Sequence, residues 1–195
     1  MMRIGVDESG TGAWAGPFTV AAVGGDDAFE EWAMQECADS KTLSDEKRRA
    51  LCVEIRQRAA FIHVAELSVQ EMLVEGHAPT WRSGVVRVLR QYVLENPVAW
   101  LSAQVTVDGP GNKYIRKDLE VLLSAGKPEI QFLPKADSLV GVVRAASIIA
   151  KTHRNDLMLA LAQKYPEYRW EANAGYGTEA HLQAIREHGL TPEHR

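Results

Sequence analysis

The sequence predicts an α/β fold in which helices cover a mixed sheet. Short apolar runs rich in Val and Ile alternate along the chain with longer segments of helical periodicity. Glycines, prolines and capping residues separate these segments, and no internal repeat interrupts their order. The order is two strands, a helix, a strand, helices, two more strands and further helices, which is typical of a layered α/β protein.

Each predicted strand is a short apolar run that ends at turn-forming residues. A glycine-rich turn at residues 10–12 joins the first strand to the second. The predicted strands are Ile4 to Val6, Phe18 to Val23, Phe61 to Leu67, Gln104 to Val107 and Ile130 to Leu133.

The helices are predicted from their periodicity and from the residues at their starts. Ser44 caps a helix that runs to about residue 60, and Ser68 with Glu71 forms a capping box before a short helix that ends at Gly76. Thr178 caps the last helix, which ends at Gly189. The other predicted helices run from Pro79 to the Asn96-Pro97 stop, from Lys113 to Ala125, and from Leu139 to about Lys164.

Length and composition predict one soluble cytoplasmic domain over residues 1–195. Hydrophobic residues make up 46% of the chain and charged residues 25%, and no apolar run approaches the roughly 20 residues that span a bilayer. The acidic pair Asp7-Glu8 follows the N-terminus too closely for a signal peptide. Cys37 and Cys52 lack C-x-x-C spacing, so we expect reduced thiols rather than a disulfide or a zinc site.

Four acids are expected to meet at one edge of the sheet. Asp7 and Glu8 end the first strand, Asp108 ends the fourth, and Asp137 precedes the long helix. Strand ends along one edge form the ligand crevice of an α/β sheet, and like charges gathered there require a cation or a proton. The alternative is that Asp108 and Asp137 are ordinary turn and capping residues. Carboxylate oxygens suit Mg²⁺ or Mn²⁺, and two such ions would cancel the formal net charge of −4.

The sequence around these acids resembles a known enzyme family. Gly5-Val6-Asp7-Glu8-Ser9-Gly10-Thr11-Gly12 resembles the opening motif of ribonuclease HII. Four further blocks resemble that family in the same order: Asp39-Ser40-Lys41-Thr42-Leu43, Val107-Asp108-Gly109, Lys135-Ala136-Asp137-Ser138 with Ala145-Ala146-Ser147-Ile148-Ile149-Ala150-Lys151, and Gly175-Tyr176-Gly177-Thr178 with His181. Together they cover nearly the whole chain.

The resemblance implies a ribonuclease H-like fold with a mixed five-stranded sheet flanked by helices. It implies an endoribonuclease that cuts the RNA strand of RNA–DNA hybrids, nicks duplex DNA at embedded ribonucleotides, and serves ribonucleotide excision and DNA replication. By similarity, Asp7, Glu8, Asp108 and Asp137 would bind two Mg²⁺ or Mn²⁺ ions. The products would carry a 5′-phosphate and a 3′-hydroxyl. A binding module of the same fold that does not cut hybrids remains the alternative.

The resemblance also implies substrate contacts. The glycine turn Gly10-Thr11-Gly12 would read the 2′-hydroxyl of the ribonucleotide, and Tyr176 would pack on the sugar of the next nucleotide. Thr11 stands where ribonuclease HII usually has Arg, as in a ribonuclease HIII-like turn, so weaker substrate binding is expected. Lys41 would contact a phosphate by similarity, with Thr42 in place of a second lysine.

Other residues have interpretations that the motifs do not decide. Lys151 and Arg154 lie three apart on one helix face, where they would contact the backbone of the hybrid or remain solvated. The tryptophans are expected in the core, and Ser147 is expected to allow tight helix packing. No clamp-binding peptide is present, and we expect a monomer.

Overall fold

The computed structural model describes residues 1–37, 43–124, 126 and 128–195. These residues form a five-stranded sheet of order β3-β2-β1-β4-β5. The strands are β1 Arg3–Ser9, β2 Phe18–Gly25, β3 Phe61–Leu67, β4 Gln104–Asp108 and β5 Glu129–Leu133. β2 is antiparallel to both β1 and β3, whereas β4 is parallel to both β1 and β5. The predicted mixed five-stranded sheet is therefore confirmed.

Helices lie on both faces of this sheet. The longer ones are α1 Asp27–Glu36, α2 Asp45–Arg58, α3 Val69–Glu75, α4 His77–Glu95, α6 Lys113–Leu123, α7 Gly141–Lys164 and α9 Glu179–His188. Two single-turn helices are α5 Pro97–Trp100 and α8 Trp170–Asn173, and 3₁₀ turns occur at Ala136–Ser138 and Pro166–Tyr168. None of the helices in the described ranges has the length and apolar character that crossing a bilayer requires.

The sheet is buried on both faces because each face has its own apolar cluster. Val20 and Ala22 of β2 face a cluster with α4 and α6, whereas Ala21 and Val23 face a second cluster with α1, α2 and α7. The alternation follows from the two-residue period of a strand. Gly5 lets α7 approach closely, since an added Cβ would lie 2.2 Å from the carbonyl carbon of Val142. Helix α7 is thereby pressed against the middle of β1.

The helix caps that the sequence predicts are present in the structure, but one helix was not predicted. Ser44, Ser68 and Thr178 each accept a hydrogen bond from a backbone N–H in the first turn of the helix that follows. Helix α1 was not expected, because its few buried positions give a weak periodic signal. Helix α1 is capped by Asp26. The side-chain carboxylate of its Glu30 accepts hydrogen bonds from the backbone N–H groups of Gly141 and Val142, where α7 begins.

Candidate active site

Three of the four predicted acids meet where β1 and β4 end. The two strands are parallel, and Val6 pairs with Val107, so Asp7 and Asp108 follow at the same edge of the sheet. Asp7, Glu8 and Asp108 line the same cavity, and the charges of Glu8 and Asp108 raise the pKa of the Asp7 carboxyl. The expected convergence is therefore confirmed for these three side chains.

A cavity of about 250 Å³ opens beside these acids. It is lined by Asp7, Glu8, Ser9, Gly10, Thr11, Gly12, Asp108, Ser147, Lys151 and Tyr176. The acids, the glycine turn, Lys151 and Tyr176 were all expected to serve one site. The structure brings them together around one opening.

Asp7 is the buried centre of the site, with 5% of its surface exposed. Burial, and then the charges of Glu8 and Asp108, raise the pKa of its carboxyl well above the usual range. A hydrogen bond from Ser147 and one from the backbone N–H of Glu8 (2.7 Å) act in the opposite direction. Ser147 was expected only as a packing residue, and that interpretation is incomplete because its hydroxyl contacts Asp7.

Glu8 is held from two sides. Its Oε1 accepts a hydrogen bond from the hydroxyl of Thr11 at 3.3 Å, and its Oε2 accepts one from the indole Nε1 of Trp81 at 3.1 Å. Trp81 is partly buried against the core, so the core expectation is incomplete for it, whereas that expectation is wrong for Trp14, which is 44% exposed. Trp100 and Trp170 are fully buried, as expected. No spacing rule links position 81 to position 8, which is why sequence reasoning missed this contact.

Asp137 lies on the adjoining 3₁₀ turn and does not line the cavity. The turn is joined to the site through the backbone N–H of Ala136, which donates to Oδ1 of Asp108 at 2.7 Å. Arg144 stabilises this turn, because its guanidinium donates hydrogen bonds to the carbonyl oxygens of Asp137 and Ser138. The structure therefore places the turn that carries Asp137 directly beside Asp108.

The donor set suits a hard divalent cation. The carboxylates supply only oxygen ligands, and burial among like charges leaves Asp7 in need of a positive partner. Among the described residues, no three His, Cys, Asp or Glu side chains are close enough to hold a metal ion as they stand. The acids that meet here instead accept hydrogen bonds from the protein.

The expected substrate residues have different positions. Gly10 has φ +100°, which favours glycine, and Gly12 lies beside the ring of Tyr176, which is 43% exposed. Lys151 lines the cavity. Lys41 lies outside the described residues.

Arg154 does not have the expected position. Its side chain is 1% exposed, and its guanidinium donates to the carbonyl oxygens of Ala15, Pro17 and Ala174. The expectation of a contact between Arg154 and the hybrid backbone, or of a solvated Arg154, is therefore wrong. The helical spacing that pairs it with Lys151 does not reveal that the glycine loop covers this turn of α7.

A mixed sheet of this order, with carboxylates at the shared ends of β1 and β4, defines a ribonuclease H-like nuclease. Solved structures agree: the ribonuclease HII in the PCNA complex from Archaeoglobus fulgidus superimposes with a TM-score of 0.77 at 24% identity, over 100% of this chain and 94% of that one. At that identity the likeness shows the fold alone. Bst-RNase HIII in complex with Mn²⁺ gives a TM-score of 0.70 at 25% identity, over 97% of this chain and 63% of that one.

The sequence comparisons show the family. Residues 4–195 match the family model described as Ribonuclease HII. The chain is 40% identical over 191 residues to ribonuclease HII of Nitrosomonas europaea, covering 98% of this chain and 79% of that protein. It is 36% identical over 195 residues to the enzyme of Ralstonia nicotianae, covering 98% and 74%. The chain belongs to the ribonuclease HII family and is a hydrolase, an endonuclease of the ribonuclease H type; such enzymes depend on divalent metal ions and act on RNA–DNA hybrids.

Proposed function

We propose that this protein hydrolyses the phosphodiester next to a ribonucleotide, both in RNA–DNA hybrids and at single ribonucleotides embedded in duplex DNA. One observation carries the proposal: the buried carboxylate of Asp7 lies beside Glu8 and Asp108 in a cavity that the glycine turn and Tyr176 also line. The cavity thus joins acids that attract cations to backbone and ring groups that suit a nucleotide.

Asp7, Glu8, Asp108 and Asp137 would hold two divalent ions, Mg²⁺ or Mn²⁺. When bound, these ions supply positive charge for the attacking water and for the leaving oxygen. Asp7 and Asp108 are anchored on neighbouring strands, so the sheet sets their separation. Ser147 orients Asp7, while Trp81 and Thr11 orient Glu8. The Asp137 carboxylate belongs to this set by family likeness and by the contact of its turn with Asp108.

The other lining residues would bind the substrate. Glycine at positions 10 and 12 allows a sugar to approach the backbone, whose N–H groups can reach the 2′-hydroxyl. Tyr176 is exposed beside Gly12, where its ring can pack on the neighbouring sugar. Lys151 would contact a phosphate from the cavity wall, and Lys41 would contact another by similarity.

Thr11 gives this turn a different charge and different hydrogen bonding from those of a Gly-Arg-Gly turn. It offers no cation to the phosphate, but its hydroxyl holds Glu8. We propose that residues 1–195 act as one catalytic domain, as a monomer in the cytoplasm, and that the enzyme serves ribonucleotide excision.

Three labelled substrates test the proposal: an RNA–DNA hybrid, a duplex with one ribonucleotide, and an all-DNA duplex of the same sequence. With Mg²⁺ or Mn²⁺ we expect cuts in the first two only, and with EDTA we expect none. Asp7→Asn should abolish cutting, whereas the matched control Asp156→Asn, at a surface ion pair with Arg49, should not. Cutting of plain DNA, or cutting in EDTA, would contradict the proposal. Binding of hybrids without cutting in any ion would indicate the binding module.

A further inference from the structure

Two arginine side chains that do not line the cavity donate hydrogen bonds to the glycine loop and the residues that follow it. Arg154 of α7 is buried, and its guanidinium donates to the carbonyl oxygens of Pro17 (2.9 Å), Ala174 (2.9 Å) and Ala15 (3.0 Å). Its guanidinium carbon also lies 5.6 Å from the centre of the Tyr176 ring. Arg154 thus touches both segments that are expected to bind the ribonucleotide.

Arg195 completes the arrangement from the other end of the chain. Its guanidinium donates four hydrogen bonds to carbonyl oxygens: one to Gly10 at 2.6 Å, two to Gly16 at 3.0 and 2.8 Å, and one to Pro17 at 3.0 Å. Its backbone N–H also donates to the carbonyl oxygen of Trp14. The loop from Gly10 to Pro17 is therefore held along its length by two fixed cations.

Burying two guanidinium groups close together costs free energy of folding, which argues that they do more than fill space in the core. Burial lowers the pKa of Arg154, and burial together with the charge of Arg154 lowers the pKa of Arg195 to about 10. Buried charges are tolerated when they are fully hydrogen-bonded, and here the side-chain hydrogen bonds end on backbone carbonyl oxygens. A guanidinium has five N–H donors in a rigid planar fork, whereas an ammonium has three, so arginine suits several carbonyls at fixed positions.

The hydrogen bond to Gly10 has a direct geometric consequence. In a trans peptide unit, the C=O of one residue and the N–H of the next point in opposite directions. Because the Gly10 carbonyl is turned toward Arg195, the N–H of Thr11, a residue that lines the cavity, is turned the other way. Gly10 has φ +100°, and an added Cβ would lie 2.3 Å from Nε of Arg154, so no larger residue fits between the loop and this arginine.

We propose that Arg154 and Arg195 form a positioning clamp that aims the backbone N–H groups of the glycine loop at the ribose, and so sets the preference for a ribonucleotide over a deoxyribonucleotide. The proposal rests on the proposed function, since it concerns the substrate contact of that same loop. It replaces the expected role of Arg154 as a direct phosphate contact.

The test measures binding rather than activity. Two duplexes of one sequence, one with a single ribonucleotide and one all-DNA, are titrated with the full chain in Ca²⁺, and the ratio of the two affinities is taken. Arg195→Lys keeps the charge and loses the fork, and we expect the ratio to fall about tenfold. Arg154→Lys is the second variant, with the same expected fall. The control is Trp100→Phe, which removes a buried hydrogen bond to the Leu122 carbonyl remote from the loop.

The control should lower the melting temperature and leave the affinity ratio unchanged. A ratio unchanged in Arg195→Lys, or equally lowered in Trp100→Phe, would overturn the clamp. If Arg154→Lys does not fold, Arg195→Lys decides the matter. A wild-type protein that does not prefer the ribonucleotide duplex would instead contradict the proposed function. A wild-type preference that the folded arginine variants retain would contradict the clamp alone.

Discussion

The indole Nε1 of Trp81 donates a hydrogen bond to Oε2 of Glu8 at 3.1 Å, which joins helix α4 to the acidic end of β1. Thr11 donates to the other carboxylate oxygen. Glu8 is only partly buried, and these donors restrict the rotamers that its side chain can adopt. The two bonds therefore preserve one orientation of a carboxylate that is expected to bind metal.

Trp81→Phe tests the first of these bonds. Phenylalanine keeps most of the ring packing and removes the donor, so we expect kcat to fall about tenfold with little change in KM, as the loss of one hydrogen bond to a charged acceptor implies. Steady-state cleavage of a ribonucleotide-containing duplex measures it. Trp32→Phe, on helix α1, is the matched control and should keep the parent rate. Equal rates in both variants would show that the indole does not orient Glu8.

Thr11→Val tests the second bond, with Thr11→Ser as its control. Valine has the shape of threonine without the hydroxyl, so Glu8 loses a donor, whereas serine keeps it. The bond is long and exposed, and we expect a two- to fivefold loss of kcat in Thr11→Val alone, about 1 kcal/mol or less. A serine variant as slow as the valine variant would assign the effect to the methyl group instead.

Asp7→Asn is expected to stabilise the metal-free fold while it abolishes cleavage. The pKa of Asp7 is raised in the folded protein, so its ionised form costs stability at neutral pH, and this cost grows as the pH rises from the usual carboxyl range through the raised pKa. Asparagine removes the charge. In EDTA the variant's free energy of unfolding should therefore exceed that of the parent by on the order of 1 kcal/mol, which raises the melting temperature by about 2–4 °C. The gain should vanish in acid, where Asp7 is neutral. A variant less stable than the parent at pH 7 would contradict this electrostatic account.

Glu30→Gln tests how helix α7 is anchored near the site. The two oxygens of Glu30 accept hydrogen bonds at 2.8 Å from the N–H groups of Gly141 and Val142. Glutamine presents one acceptor and no charge to this helix N-terminus, so we expect urea denaturation to show a loss of about 1–2 kcal/mol. Glu31→Gln, at an exposed neighbouring position, should change the free energy of unfolding by less than about 0.5 kcal/mol. Similar losses in both variants would argue against the anchor.

Features decided by local chemistry could be predicted from the sequence. The caps at Ser44, Ser68 and Thr178 depend on residues within one helical turn, and the structure confirms all three. The meeting of Asp7 with Asp108 was also predictable, because parallel strands bring their carboxyl ends to one edge.

Side-chain contacts between distant segments that no strand-end or capping rule relates could not be predicted. Helix α1 is stabilised by the contact of Glu30 with a helix that begins 111 positions later. Arg195 reaches Gly10 across 185 positions, and the role of Trp81 depends on the packing of α4 beside β1. Helical periodicity alone placed Arg154 on the surface, although the glycine loop folds over it.

The chemistry of the cut ends tests the central claim most directly. A duplex with one ribonucleotide is cleaved by the wild-type protein with Mg²⁺ in ¹⁸O-labelled water, and the fragments are analysed by mass spectrometry. Hydrolysis by a water at the acidic site predicts a 3′-hydroxyl on one fragment and one ¹⁸O atom in the 5′-phosphate of the other. A 2′,3′-cyclic phosphate opposite a 5′-hydroxyl would show that the ribose attacks its own phosphate, and would contradict the account.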